Sequence, residues 1–219
     1  MRRPRFIAEQ ARHASGPLGR LIAFIMAFET RGENQRAIDA LAIDGSDRIV
    51  DIGCGPGRGL AELAARAPQG RVVGVDPSAV MVASALRRSR RLTGARRVDA
   101  VIGGVEALPF PDAAFDKALC VHVVYFWKNL DLAFQEIARV LKPGGRLVLV
   151  FRTNADEDAV RAFPADVYRF PALADVLASS ARVGFETRFI EGSAGLDVKS
   201  AQLIGATKQG ASAWSTSRA

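Results

Sequence analysis

From residue 48 onward, short β-branched runs alternate with stretches of helical spacing, and this alternation restricts the fold more than any other feature of the chain. Arg48–Ile52, Arg71–Val75, Val98–Ile102, Lys117–Val121 and Arg146–Phe151 read as strands. Apolar runs of this length, bounded by Gly, Pro or Asp, suit strands covered on both faces. Between them Leu60–Arg66, Ala79–Arg91 and Leu132–Leu141 carry helical periodicity. Strand–helix alternation predicts an α/β fold with a doubly wound, mainly parallel sheet. After residue 170 the order changes: Ala172–Val183 reads as a helix, then Phe185–Glu191 and Ser200–Thr207 as consecutive strands, an antiparallel pair at the C-terminal edge of a seven-stranded sheet. Residues 1–34 are expected as an N-terminal helical cap, 35–208 as the main domain, 152–171 as a loop or lid, and 209–219 as a disordered tail.

Composition narrows the class. At 219 residues and 49% hydrophobic content, the chain can bury a core without disulfides. Its two cysteines, Cys54 and Cys120, are too few and too separated for a thiolate zinc site, and no metal is expected. The apolar run Leu21–Phe28 falls far short of the ~20 residues of a membrane span. About fifteen mostly polar residues separate it from Arg2, Arg3 and Arg5, so a secretory signal is not read, and a cytoplasmic location without membrane partners is expected. The net charge of +7 admits polyanions, but 25 of the 30 basic residues are Arg in an Ala- and Gly-rich chain, which also fits a coding bias.

The first strand runs into Asp51-Ile-Gly-Cys-Gly-Pro-Gly57 and then a helix. Glycines here let backbone approach a ligand at the carboxyl edge of the sheet. The dinucleotide fingerprint G-x-G-x-x-G fails, because Arg58 and Leu60 stand where its third glycine belongs, and no G-K-[ST] of a P-loop follows. The second strand ends in Val73-Gly-Val-Asp76-Pro77, a carboxylate suited to two ribose hydroxyls.

These features, with Glu106-Ala-Leu-Pro-Phe-Pro-Asp112, Phe115-Asp116 and Arg139-Val-Leu-Lys-Pro-Gly-Gly-Arg146, resemble the class I S-adenosylmethionine-dependent methyltransferases, near the ubiquinone- and menaquinone-biosynthesis group, over roughly residues 35–150. The resemblance implies a Rossmann-like methyltransferase fold and S-adenosylmethionine as cofactor. It puts Asp51, Gly53, Gly55 and Gly57 against the methionine part, Asp76 on the ribose, and Pro77 or Ser78 beside the adenine. Gly104 stands where the family's Asp takes the adenine amino group; Val105 offers a backbone N–H and Glu106 a substitute acceptor. A carbonyl near Cys120 would hold the cofactor's amino group. His122, at the end of the fourth strand, faces the transferring methyl in that fold and is the candidate general base, with hydrogen bonding or capping as the plainer role.

Tyr125, Phe126 and Trp127 either wall an apolar acceptor pocket or pack under the following helix, and Arg20 is a candidate acceptor contact in the N-terminal segment. Glu136 and Arg139 are expected as a surface i,i+3 pair. The expected reaction is methyl transfer to a small or medium-sized organic acceptor by in-line displacement, with a homodimer left open. Two rivals stand beside it. A nucleic-acid methyltransferase has the charge but lacks an Asn/Asp-Pro-Pro-aromatic or Pro-Cys motif, so nucleic acid is not the expected partner. A cofactor-binding protein without catalysis has only Gly104 in its favour.

Overall fold

A computed structural model describes residues 3–93, 97–190 and 201–209. Seven strands form one sheet: β1 (Arg48–Ile52), β2 (Arg71–Asp76), β3 (Val98–Ile102), β4 (Phe115–Val121), β5 (Leu141–Phe151), β6 (Phe185–Phe189) and β7 (Gln202–Lys208), in spatial order β3-β2-β1-β4-β5-β7-β6. The first five are parallel; β7 runs antiparallel to both β5 and β6. The final strand therefore lies inside the sheet and β6 forms its edge. Strand β5 starts at Leu141, earlier than the apolar run predicts, because Lys142-Pro-Gly-Gly145 joins it through an irregularity opposite Phe115 and Lys117. Of the expected tail, Gln209 donates its N–H to the Gly184 carbonyl at 3.0 Å and residues 210–219 lie outside the described residues, as do Glu191 and Ser200 at the ends of the two expected C-terminal strands.

The helices are α1 (Arg5–Arg12), α2 (Gly16–Glu29), α3 (Arg31–Ala40), α4 (Arg58–Arg66), α5 (Ala79–Thr93), α6 (Leu130–Val140), α7 (Glu157–Ala162) and α8 (Leu173–Arg182). Alternation along each strand gives both sheet faces a core. Ile49, Val72, Leu119 and Val148 pack with Ile38 of α3, Leu60 and Leu63 of α4, and Ala85 of α5. Val50, Val73, Ala118 and Leu147 share the other core with Phe134 and Ile137 of α6 and Val176 of α8. Full burial of such Val, Leu and Ile side chains stabilises by about 1.5–3 kcal/mol each.

Sheet order reverses between β1 and β4, and strand ends diverge there into the crevice where doubly wound sheets bind ligands. The N-terminal segment takes part in both core and crevice. Ala8, Ala14 and Ile22 are buried, while the Ser78 hydroxyl donates to the Ala14 carbonyl at 2.5 Å and ties the α1–α2 junction to the end of β2.

Candidate active site

A single cleft of about 1850 Å³ opens at the carboxyl ends of the strands. Asp51, Gly53, Gly55, Asp76, Pro77, Gly104, Val105 and Glu106 all line it. Two expected residues do not. Gly57 starts α4 at φ +74° and faces α5, where a Cβ would come within 2.7 Å of the Ala85 backbone, so this glycine serves helix packing. Cys120 is fully buried within β4, and Val121 lines the cleft instead. At Gly53 a Cβ would strike the Val123 side chain at 2.2 Å; the turn passes against the end of β4 only because that atom is missing.

Asp76 closes β2 beneath the turn. Its two oxygens accept the Gly55 N–H at 3.0 Å and the Ser78 N–H at 2.9 Å, yet burial still raises its carboxyl above the usual range. Asp51, at 7% exposure, is pushed up to about 7 by burial and then by the charge of Asp76. Two buried carboxylates, Asp76 opposed only by the charge of His13 and Asp51 by no cation, are the electrostatic complement of a positively charged ligand. S-adenosylmethionine carries a sulfonium, an ammonium and a ribose diol, and the residues present fit it: acidic side chains at the turn, backbone N–H groups, and open space around the missing Cβ of Gly104.

Glu106 is partly committed elsewhere. Its Oε1 accepts the backbone N–H groups of Lys128 at 2.5 Å and Asn129 at 2.8 Å, tying the loop after β3 to the start of α6. The same loop is clamped by the pair expected to lie on the surface. The Arg139 guanidinium donates to the Leu108 carbonyl at 3.0 Å, the Phe110 carbonyl at 2.7 Å and Asp112 at 2.9 Å, while Glu136 accepts the Leu108 N–H at 2.8 Å. Glu136–Arg139 is thus a loop anchor, because Leu108 and Phe110 turn their backbone toward α6.

The far side of the cleft centres on His122, whose φ of +56° is left-handed backbone that non-glycine residues adopt at some cost. Neither ring nitrogen is free. Nε2 lies 2.6 Å from Glu33 Oε2 and Nδ1 lies 2.9 Å from the Tyr125 hydroxyl, which also accepts the Arg152 N–H at 2.7 Å. In the neutral ring, Nε2–H donates to Glu33 and Nδ1 accepts from Tyr125. His122 and Arg152 hold the Glu33 carboxyl below its usual range against the opposing effect of burial. Arg152 continues the chain to Asp156 at 2.7 Å, which caps α7 through the Ala159 N–H.

Tyr125 lines the cleft and packs at a tilt against Phe170 and Tyr168, centroids 4.9 and 5.5 Å away. Trp127 reaches the rim but sets its ring edge-on to Phe134 at 5.7 Å, packing under α6 as one of its two readings holds. Arg20 is elsewhere: it lies in a separate groove with Phe24, Met81 and Arg87, because its position on α2 faces α5 and not the end of β4. Glu33, Arg152 and Tyr168 were not singled out from sequence. Glu33 lies 89 residues from His122 on a short polar helix, and only the fold brings them together. Both cysteines are buried, which drives their thiols well up and leaves them unreactive.

A family model described as a methyltransferase domain matches residues 50–149. A demethylmenaquinone methyltransferase of Thermus thermophilus is 32% identical over 199 residues, covering 78% of this chain and 88% of that protein. A 37.1 kDa protein of a Streptomyces fradiae transposon is 40% identical over 113 residues, or 51% of this chain; the match spans about a third of that relative's length (32%). Among solved structures, a Haloferax volcanii protein described as a putative methyltransferase, in complex with the Trm112 methyltransferase activator, superposes with a TM-score of 0.72 at 19% identity over 95% of this chain and 100% of its own.

Proposed function

The chain belongs to the class I S-adenosylmethionine-dependent methyltransferases, and from that premise we propose that it methylates a small or medium-sized organic acceptor carrying an ionisable nucleophile. The bound cofactor supplies a methyl group already activated on a sulfonium. The chain's own residues then have to align the acceptor, exclude water and remove a proton.

The observation that carries this reading is the Tyr125–His122–Glu33 array beside the glycine turn. The acceptor's proton passes to the Tyr125 oxygen as the tyrosine's own proton moves to His122 Nδ1. Glu33, held ionised by His122 and Arg152, stabilises the resulting imidazolium through Nε2–H. His122 is then the proton's destination and Tyr125 the group that meets the acceptor, while Phe126, Phe163, Tyr168 and Phe170 give that side of the cleft an aromatic wall. The N-terminal segment contributes Gln10 to Ala14 and Glu29 to Arg36 to the same cleft, and we assign acceptor recognition to it in part.

The aromatic wall favours a small molecule with an apolar body over a nucleic-acid backbone. With two free thiols, the chain suits a reducing, cytoplasmic setting. The test is single-turnover formation of S-adenosylhomocysteine against metabolite pools, repeated with Tyr125→Phe, His122→Gln and Glu33→Gln. Each variant is expected to lose about 10²-fold or more in kcat while cofactor affinity stays within about threefold. Unchanged turnover in all three would refute the relay; no cofactor binding by the wild type would refute the whole reading.

A further inference from the structure

Six of the ten large hydrophobic side chains that are exposed among the described residues lie on α1 and α2: Phe6, Leu18, Leu21, Phe24, Ile25 and Phe28. At 100° per residue, the five on α2 fall within an arc of about 120°. They form one apolar stripe, with Leu21 56% and Phe28 63% exposed. Beside it runs a basic rim. Arg20 and Phe24 share a groove with Arg87, Arg88 and Arg91 of α5, a helix whose residues 79–93 include four arginines and no acidic residue. The Arg58 guanidinium sits over the Phe24 ring at 4.2 Å and feels the like charges of Arg88 and Arg31. The acidic groups nearest in sequence are already engaged, Glu29 with Arg3 and Glu62 with Arg66.

We propose that the exposed face of α2, with its arginine rim, docks the protein onto an anionic lipid bilayer. Water solvates the stripe poorly, and a polyanion such as RNA would complement the rim but gain nothing from the five apolar side chains. A bilayer interface complements both at once: acyl chains receive the stripe while lipid phosphates meet the guanidinium groups. The contact is adsorption, since no helix among the described residues is long and apolar enough to cross a membrane. Glu29 and Thr30, at the end of the same helix, border the active-site cleft, so docking would turn its mouth toward the lipid. The proposal does not depend on the identity of the acceptor.

Vesicle flotation of the full chain tests it, using phosphatidylcholine alone and phosphatidylcholine with about one quarter phosphatidylglycerol. The protein is expected to float with the anionic vesicles and little with the neutral ones, and less as salt rises. Leu21→Gln/Phe28→Gln and Arg87→Glu/Arg91→Glu should each reduce partitioning at least about tenfold, with cofactor affinity measured by calorimetry unchanged. No flotation with either vesicle, or flotation indifferent to both variants, overturns the proposal. So does a concentration-dependent dimer dissolved by the apolar variant, which would make a second copy the occupant. Binding of single-stranded RNA that only the charge reversal removes, without flotation, would assign the surface to nucleic acid instead.

Discussion

Replacing Asp51 with Asn should make the ligand-free protein more stable at alkaline pH while weakening its hold on the cofactor. Asp51 titrates from 3.8 in the unfolded chain and about 7 in the folded one, a difference of about 3 units. At 1.36 kcal/mol per unit, keeping the carboxylate ionised in the empty cleft costs about 4 kcal/mol. The folded pKa is raised, so the associated stability is complete below pH 3.8, declines as pH rises, and is lost above about 7. The amide of Asn must still be buried, which recovers only part of the cost; a gain of about 1–2 kcal/mol at pH 8.5 is expected. For a domain of this size that is about 2–8 °C in melting temperature. Thermal melts of wild type and Asp51→Asn from pH 4 to pH 9 should show a difference that grows to about pH 7 and then levels. Saturating S-adenosylmethionine at pH 8.5 should narrow or reverse it, because the cation repays the carboxylate only in the wild type. A variant less stable than wild type at pH 8.5, or a difference independent of pH, would refute the account of Asp51 as an uncompensated charge.

Asp76→Ala removes the acceptor for two backbone N–H groups and the proposed acceptor for the ribose hydroxyls; calorimetry should show cofactor affinity falling by about 1–3 kcal/mol, and an unchanged affinity would move the ribose site elsewhere. Arg139→Ala releases the carbonyls of Leu108 and Phe110, and denaturant unfolding should register a loss of about 2 kcal/mol together with faster hydrogen exchange across residues 103–112.

Much of this was legible in the sequence because it is local. Each strand of the parallel sheet announces itself as an apolar run, and the places of Asp51, Gly53, Gly55 and Asp76 at the cleft follow from the ends of β1 and β2, each marked by its own local sequence. Gly57 was misread because spacing cannot say which side of a turn a glycine faces; its role depends on Ala85 of another helix. The place of His122 at the end of β4 is legible but its partners are not, since both are set by tertiary structure: Glu33 arrives on α3 and the Tyr125 hydroxyl is oriented by the β5 end through the Arg152 N–H. Arg20 failed for the same reason. A charge in the right segment says nothing of which way its helix is rotated. The anchoring role of Arg139 was hidden because two of its acceptors are the backbone carbonyls of Leu108 and Phe110, which leave no trace in residue identity.

The position of β7 has a consequence for how the chain is made. On the ribosome this strand emerges after every other, yet its place is between β5 and β6, where it pairs Arg146 through Phe151 on one side and Phe185 through Phe189 on the other. The parallel strands carrying the glycine turn, Asp76 and His122 can all associate beforehand, whereas the long strand β5 must wait with one flank of its backbone unpaired. During synthesis the catalytic crevice can thus take shape while the opposite margin of the sheet is still open to mispairing, and arrival of the last strand closes that interval.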